Sequence, residues 1–433
     1  MFRLQETKRT KIILALIIGI FTLIGIFSVF YYGNSLLLGS LEKFNNDDVK
    51  YIRSAWTLLD TGKFTYQNPA NPTVYIMPGL TFLLSFFMLF FGKLSGIVAF
   101  KLFQVILQAL SIYLLFLITR KLFNSKIGLI ACLIDFFYTT ELYTANLVLT
   151  ESTFKFLLLL LIYITLLALE KKHLSLYLLG GIVWTAAIYF RPTIGAFPLI
   201  ILILWIKEKY SWREIIKYTV SVLLVFIALM SPWWIRNYHI FDRFIPLTLS
   251  SGNPFLQGTF IHYDQSSGRI SYPAGANEIE HDANEKEAGL ERLKIYIPQE
   301  PIKYLYWYTL GKTLFFWSTP FYWKEILGSP FIFVYPYHVL ILGFAIYGYI
   351  KHRKLHGKSS SNQRLILLTI VYFNLVYLPY YTFSRYAFPI MPLVMIWAAY
   401  GLNLKFPRIS LWIDGTRDTA SLNRAHKEEY NKR

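Results

Sequence analysis

The stretch IILALIIGIFTLIGIFSVFYY, residues 12–32, is an apolar run without a single charged side chain. A helix needs about 20 such residues to cross the hydrocarbon core of a bilayer. Lys8, Arg9 and Lys11 precede the run, and no small-residue cleavage site follows it. Basic residues flank membrane helices on the cytoplasmic side. The run therefore predicts a retained helix or signal anchor with a cytoplasmic N-terminus.

The composition puts the whole chain in the same class as this run. The 433 residues are 55% hydrophobic and only 16% charged, whereas soluble domains are about 25% charged. Further apolar or aromatic-rich runs lie at about 76–92, 97–118, 127–143, 150–169, 175–190, 192–206, 215–235, 302–323, 331–350, 365–382 and 385–403. The pattern predicts an all-α polytopic membrane protein with about ten (roughly 9 to 13) transmembrane helices. It excludes soluble enzymes, disordered scaffolds and fibrous proteins.

The distribution of basic residues sets the orientation. Nearly all of the net charge of +18 falls on the N-terminus, the C-terminal tail and four connections, at about 120–126, 171–172, 207–217 and 351–364. Cytoplasmic connections are rich in Lys and Arg. The chain is therefore predicted to be a multi-pass plasma-membrane protein with both termini in the cytoplasm. This orientation accounts for the positive charge without a nucleic-acid partner.

Two apolar segments conflict with a simple alternation of sides. If residues 76–92 and 302–323 both crossed, the connections that follow them would lie on the wrong face. We predict that both are re-entrant or interfacial. The result is one transmembrane domain over residues 1–403, with outer loops at 33–75 and 236–301, followed by a basic cytoplasmic tail at 404–433.

The first outer loop contains an adjacent acidic pair, Asp47 and Asp48. The residues from Asp48 to Gly62 read as a short amphipathic helix, capped by Asn45 or Asn46. Its predicted buried face consists of Tyr51, Ala55, Leu58 and Leu59. The acidic pair is explained either by the preference for acids at a helix N-terminus or by chemistry, as a general base or as one metal ligand plus a base.

Three cations lie at the outer interface, where the positive-inside bias would not place them: Arg236, Lys312 and Arg385. Such cations suit a phosphate or pyrophosphate ligand. The alternative for each is snorkelling toward lipid headgroups.

Other ionisable residues lie at or near the outer ends of the predicted spans: Asp135, Glu141, Glu151 and Arg191. Ionisable residues in a membrane are costly and indicate function by default. Glu151 also suits the start of a helix. His262 and Asp264 form only a weak metal-binding pattern, and the sequence contains no HExxH, Walker or GxGxxG motif.

Four stretches carry a resemblance to a known family. They are Asp47-Asp48-x-x-Tyr51; Leu149-Thr150-Glu151 with the later Tyr189-Phe190-Arg191-Pro192; Pro232-Trp233-Trp234-Ile235-Arg236-Asn237-Tyr238; and Ser384-Arg385-Tyr386. In this order they resemble the integral-membrane GT-C glycosyltransferases, in the branch that contains the protein O-mannosyltransferases and the lipid A aminoarabinose transferase.

The resemblance implies a GT-C-like bundle and a reaction. A sugar on a polyprenyl phosphate would pass, with inversion, to a hydroxyl of a lipid, glycan or protein acceptor at the non-cytoplasmic face. Asp47 would act as the base, with Asp48 as second choice, and Tyr51, Glu151 and Arg191 would complete the site. Arg236, Lys312 and Arg385 would hold the phosphate. No cofactor is implied with certainty, a divalent cation stays open, and membrane lipids are the remaining partners.

Two other functions fit a polytopic membrane protein: a transporter or flippase for a lipid-linked sugar, and a ligase or polymerase of surface polysaccharide. A transporter favours midplane charges and internal repeats. The charged residues here gather at one face, and no repeat is visible.

Overall fold

The computed structural model describes residues 7–266 and 268–407, and within these ranges all the secondary-structure elements are helices. The first helices are α1 (Lys8–Tyr32), α2 (Asp47–Thr61), α3 (Gly79–Phe91), α4 (Lys93–Leu122), α5 (Ser125–Phe136), α6 (Thr140–Ala145), α7 (Glu151–Lys171), α8 (Leu174–Phe190) and α9 (Pro198–Lys207). They are followed by α10 (Trp212–Phe241), α11 (Gly252–Gly258), α12 (Glu278–Gln299), α13 (Pro301–Tyr306), α14 (Lys312–Trp317), α15 (Phe331–His356), α16 (Ser361–Tyr377), α17 (Ser384–Ala387) and α18 (Met391–Lys405). The predicted tail at 404–433 lies almost entirely outside the described residues.

The membrane character predicted from the sequence is confirmed. In the described part of the chain, six helical segments are long and apolar enough to cross a bilayer: α1, α4, α7, α10, α15 and the combined Ser384–Lys405 segment. Three shorter apolar segments accompany them, namely Gly79–Phe91, Leu174–Phe190 and Pro192–Lys207. An all-helical polytopic bundle follows from these lengths.

The two segments that we predict not to cross are short or broken. The predicted segment 76–92 contains α3, whose 13 residues span only about 20 Å. The predicted segment 302–323 is helical only from Pro301 to Trp317, over 17 residues, with a π-helical turn at Trp307–Gly311. Neither forms the continuous helix of about 20 residues that a crossing requires.

One predicted span is wrong. The apolar run 127–143 reads as a single helix, whereas α5 ends at Phe136 and α6 begins at Thr140. Polar side chains explain the break, because Asp135 and Glu141 flank it and the Glu141 carboxylate is paired with the Lys155 ammonium of α7. A continuous helix would point these acids toward different neighbours.

Side chains of the central helix α4 satisfy the irregular backbone that follows this break. α4 packs against α1, α3, α5 and α7. The Gln104 amide donates to the carbonyls of Ala145 (3.1 Å) and Leu147 (2.5 Å), and the Gln108 amide donates to Thr144 Oγ1 at 3.0 Å. Irregular backbone at membrane depth requires such partners. The segment that leads to Glu151 is thereby fixed.

Helices α15 and α18 meet backbone to backbone at two glycines. A Cβ atom added to Gly348 would lie 2.2 Å from the carbonyl oxygen of Trp397, and one added to Gly401 would lie 2.3 Å from that of Phe344. Small residues allow this close approach between membrane helices. α18, which follows Arg385 along the chain, is consequently held tightly against α15.

We predict that Gly348→Ala destabilises the protein, because the added methyl group has no space. Overpacking of this kind costs about 1–3 kcal/mol. Gly343 of the same helix is the matched control, since a Cβ there would meet no atom within 4 Å. Thermal unfolding in detergent should show a lower midpoint for Gly348→Ala and an unchanged or higher midpoint for Gly343→Ala. Equal midpoints would contradict the packing described.

Candidate active site

Four charged side chains from distant segments lie in mutual contact: Asp47, Glu151, Arg191 and Arg385, named here the charge cluster. Arg385 lies between the two acids. Its Nη1 donates to Asp47 Oδ2 at 2.9 Å, and its Nε donates to Glu151 Oε1. Arg191 Nη2 donates to the same Glu151 oxygen. The structure thus brings together four of the residues singled out from the sequence.

Helix ends place each member of the cluster. Asp47 and Glu151 are the first residues of α2 and α7, where an acid interacts favourably with the helix dipole. Arg191 follows the last residue of α8 and has extended backbone angles, as expected before a proline. Arg385 lies in the single turn α17 that precedes α18.

The helix predicted in the first outer loop is confirmed, with one correction. Asn46 is its N-cap and Gly62 its C-cap, in the left-handed conformation with φ of 71°. Tyr51 and Ala55 are buried, but Leu59 is exposed. Leu59 lies about 80° around the helix from Tyr51. The buried face of α2 is therefore narrower than the face predicted from the sequence.

The two adjacent acids have different environments. Asp48 is fully buried, and its carboxylate accepts backbone N–H groups from Leu38 (2.5 Å), Gly39 (3.2 Å) and Val49 (2.9 Å). The Asp47 side chain instead remains 42% exposed. Asp48 therefore ties the outer loop to α2, whereas the Asp47 carboxylate is accessible to a ligand.

Asp47 is ionised at neutral pH. Burial acts to raise the pKa of its carboxyl, but the charge of Arg385 and hydrogen bonds from Arg385 and Tyr66 outweigh that effect and lower the pKa. For Asp48, by contrast, burial raises the pKa despite its three backbone donors. The charged carboxylate available to a ligand is therefore Asp47.

Three tyrosines surround Asp47. Tyr66 donates its hydroxyl to Asp47 Oδ1 at 2.8 Å. Its ring lies against Tyr51, with centroids 5.1 Å apart, and stacks on Tyr75 at 5.9 Å. Burial raises the pKa of both Tyr51 and Tyr66, and the Asp47 charge adds to it. Both phenols are therefore neutral, and Tyr66 donates to the charged Asp47. The sequence singled out only Tyr51, since nothing in its pattern distinguishes Tyr66 from the other tyrosines.

The Arg191 side of the cluster is closed by hydrogen bonds. Arg191 Nε donates to Thr150 Oγ1 at 3.0 Å, and its Nη1 donates to the Tyr377 hydroxyl at 3.3 Å. Glu151 Oε2 is buried and has no hydrogen-bond partner among the described residues. An unpaired buried carboxylate oxygen is costly, so Glu151 depends on the two arginines that contact its other oxygen.

Arg236 lies away from the charge cluster. Its Nη1 donates to the Thr73 carbonyl at 2.8 Å, and its guanidinium stacks near the rings of Phe64 and Trp233. It lines a largely apolar groove of about 290 Å³ together with Lys63.

Lys312 is fully buried. Its ammonium donates to the carbonyls of Leu378 (2.7 Å) and Tyr380 (3.1 Å), and it lies 4.0 Å from the centroid of the Tyr308 ring. Burial lowers its pKa to about 7. These contacts hold α14 to the segment that leads to Arg385.

A cavity of about 570 Å³, lined mainly by polar residues, lies next to the tyrosines that surround Asp47. Tyr75 forms part of its wall, and burial together with the charges of Asp47 and Glu285 raises the pKa of Tyr75 to about 12. Asn253 donates to Glu285 Oε1 at 2.7 Å, and Thr73 donates to Glu278 Oε2 at 2.7 Å. The cavity is therefore rich in hydrogen-bonding groups and carries negative charge.

Two buried lysines were missed by the sequence reasoning. Lys155 lies one turn after Glu151 in α7 and pairs with Glu141. Lys101 of α4 donates to the Gly33 carbonyl at 2.7 Å. The sequence does contain a signal for both residues, because a lysine within an apolar run indicates a specific partner.

The weak metal pattern at His262 and Asp264 is not supported. Asp264 Oδ1 accepts the backbone N–H of Ser266 at 2.9 Å, and the His262 ring packs against Trp307. Among the described residues, no group of three or more His, Cys, Asp and Glu side chains is arranged to hold a metal ion.

Comparison with known proteins gives a partial family match. Residues 71–235 match the family model described as dolichyl-phosphate-mannose-protein mannosyltransferase. This region includes Glu151 and Arg191. No curated protein sequence matches the chain.

Solved structures share the fold over nearly the whole chain. The archaeal oligosaccharyltransferase AglB from Archaeoglobus fulgidus, in complex with an inhibitory peptide and a dolichol-phosphate, aligns with a TM-score of 0.55 and 14% identity, covering 95% of this chain and 53% of its own. ArnT from Cupriavidus metallidurans, bound to undecaprenyl phosphate, aligns with a TM-score of 0.55 and 12% identity, covering 91% and 60%. The chain thus spans little more than half the length of these relatives. The chain is thus similar to this family over residues 71–235, and it shares its fold with these two proteins over nearly its whole length.

Proposed function

We propose that the protein transfers a sugar from a polyprenyl-phosphate donor to an acceptor hydroxyl at the non-cytoplasmic membrane face, with inversion and with Asp47 as general base. The observation that carries the proposal is the charge cluster. It presents one accessible, ionised carboxylate beside an arginine, as the acceptor oxygen and the leaving phosphate require.

The reaction needs only these two kinds of group. Asp47 takes the proton from the acceptor hydroxyl, and the acceptor oxygen forms a bond to the anomeric carbon of the sugar. The bond between that carbon and the phosphate oxygen breaks, and the polyprenyl phosphate leaves as an anion. No second carboxylic acid is required to protonate the leaving group, in contrast to glycoside hydrolysis.

Arg385 is the proposed phosphate contact. Its Nη2 makes no hydrogen bond within residues 7–266 and 268–407, whereas Nε and Nη1 hold the two acids. A phosphate that draws Arg385 from Asp47 would weaken the interaction that lowers the pKa of Asp47, and the base would become stronger. The lipid phosphates bound to AglB and ArnT support a donor of this class.

The other two predicted phosphate ligands, Arg236 and Lys312, differ in what surrounds their charged groups. Arg236 remains a candidate, because its apolar groove with Lys63 suits a polyprenyl chain next to its phosphate. We assign Lys312 to positioning, since its ammonium is bound by backbone carbonyls.

The acceptor is proposed to approach through the cavity beside Tyr75. Stacked tyrosine rings lead from this cavity to Asp47, and the cavity wall offers amide and carboxylate partners for hydroxyl groups. Its negative charge disfavours an anionic acceptor. A hydroxyl-rich glycan, lipid or protein segment without phosphate fits it best.

The proposal includes the predicted topology of about ten crossings, with both termini cytoplasmic in the plasma membrane. The six long helices would give six crossings, and a total of about ten requires that α5, α8, α9 and α16 cross as well. A flippase is the less suitable alternative, because the buried lysines are paired near the outer ends of the helices, with Glu141 and with Gly33.

We predict that Asp47→Asn reduces sugar transfer about 10²- to 10⁴-fold, the usual contribution of a general base, without loss of folding. The matched variant Asp48→Asn should lower stability by about 1–3 kcal/mol, because Asn cannot accept all three backbone donors. Its activity per folded molecule should stay near that of wild type. Transfer from a polyprenyl-phosphate sugar and thermal unfolding measure the two effects. A folded but inactive Asp48→Asn, with an active Asp47→Asn, would move the role to Asp48.

We expect Arg385→Gln to change the pH profile of the enzyme as well as its rate. Arg385 lowers the pKa of Asp47, so the acid limb of kcat/KM in wild type lies below the ordinary value of 3.8 for an aspartate. Without Arg385 the pKa rises, and activity should be lost at higher pH than in wild type. Arg243→Gln, at an exposed residue of the second outer loop, is the control. An unshifted acid limb in Arg385→Gln would disprove the coupling.

The topology can be tested by labelling, because the native Cys132 is buried and free. We predict that Ala276→Cys reacts with an impermeant maleimide in intact cells, whereas Lys354→Cys reacts only after permeabilisation. Both positions are exposed. Labelling of both from the same side would refute the proposed orientation.

A further inference from the structure

A second cavity, of about 360 Å³, lies far from the charge cluster. It is lined by Lys207, Tyr349, Arg353, Lys358, Ser359, Arg364, Leu367 and Leu368. Tyr377, near the end of α16, contacts Arg191 of the charge cluster, whereas Arg364 lies in the first turn of the same helix. The intervening residues span roughly 20 Å. The cavity therefore faces the opposite end of the bundle, where α9 and α15 end and α16 begins.

Positive charge in this cavity is in excess. Among the described residues, the side chains of Lys207, Arg353 and Lys358 make no hydrogen bond or ion pair. Arg364 Nη2 donates to Glu208 Oε1 at 3.0 Å, which is the one acid paired with this group. Arg364 Nε is buried and has no partner in the described part of the chain.

The wall of this cavity contains a buried hydroxyl group. Ser359 is only 8% exposed, lines the cavity, and its Oγ has no hydrogen-bond partner among the described residues. It is not needed as a helix cap, because Ser360 caps α16 in a reciprocal arrangement with Gln363. Leaving a buried hydroxyl unpaired is unfavourable, so the site has an unsatisfied donor next to unpaired cations.

The excess of cations alone follows from the positive-inside bias. That bias does not explain why a serine hydroxyl and an arginine Nε are buried without partners. The start of a 17-residue helix adds a positive dipole end. Cations, hydroxyl donor and helix N-terminus together are the groups that bind phosphate oxygens.

We propose that this cavity binds a phosphate-bearing anion, with Arg353, Lys358 and Arg364 as charge partners and Ser359 as hydroxyl donor. The same chemistry is found in an anionic phospholipid headgroup of the inner leaflet and in a soluble phosphate compound. Leu367 and Leu368 on the cavity wall give a lipid an apolar surface for the start of its acyl chains. Basic pockets between helices near the cytoplasmic surface suit such headgroups. The proposal is independent of the transfer reaction.

The test uses the full chain purified in neutral detergent. Phosphatidylglycerol and phosphatidylcholine of equal chain length are titrated, and bound lipid is measured by native mass spectrometry. Inorganic pyrophosphate is titrated separately by equilibrium dialysis. The variants are Arg353→Gln with Lys358→Gln, and Ser359→Ala alone. The control is Lys171→Gln with Arg213→Gln, two exposed residues on connections predicted to face the same side.

We expect wild type to bind phosphatidylglycerol or pyrophosphate, and the double variant in the cavity to lose about tenfold or more in affinity. Ser359→Ala should lose about threefold, and the control pair should remain within about twofold. Preference for phosphatidylglycerol over phosphatidylcholine identifies a lipid site, and binding of pyrophosphate alone identifies a soluble ligand.

Three results would overturn the proposal. They are no binding of either anionic probe by wild type, equal affinities of wild type and the cavity variants, and an equal loss in the control pair. Ser359→Ala removes only one hydroxyl group and leaves the Ser360 cap in place. It therefore keeps the test decisive if the double variant does not fold.

Discussion

The shared guanidinium of Arg385 is the interaction on which the site depends. Two carboxylates, those of Asp47 and Glu151, contact this one guanidinium, and Glu151 is almost completely buried. A buried acid requires a partner of opposite charge with hydrogen bonds. Arg385 satisfies both acids at once, and Arg191 adds a second positive charge to Glu151. Without Arg385 the outer loop would have no ionic contact with the bundle at this point.

This constraint also organises the fold around the site. The four charged residues come from α2, the start of α7, the end of α8 and α17, which are far apart in sequence. The ends of these helices must lie close together for the charges to be paired. Polar contacts below the cluster serve the same purpose, since Gln104 fixes the chain before Glu151 and Lys312 fixes the chain before Arg385. The cost of unpaired polar groups in an apolar medium makes each of these contacts necessary.

The sequence predicted the class of fold and four members of the cluster because they follow from strong local signals. Apolar length predicts spans, and charged residues at span ends indicate a site. Tyr66 could not be predicted, since its role arises from a loop that folds back onto Asp47. The interruption of the run 127–143 was missed for a similar reason, because the Lys155 that pairs with Glu141 lies on another helix. The periodicity of the sequence also does not show which of the two adjacent acids is accessible. Asp48 accepts hydrogen bonds from backbone N–H groups, whereas Asp47 is exposed, and both facts depend on tertiary contacts.

The contact between Gly348 and Gly401 limits the movement of the segment that carries Arg385. Ser384–Lys405 is the most enclosed of the six long segments, with 83% of its apolar window buried, and its backbone touches that of α15. Arg385 thus stands on the part of the molecule that resists displacement. Asp47 is carried by a short helix whose ends are joined to loops and whose buried acid, Asp48, binds loop backbone. If the distance between Asp47 and Arg385 changes, we therefore expect α2 to move and the arginine to stay in place.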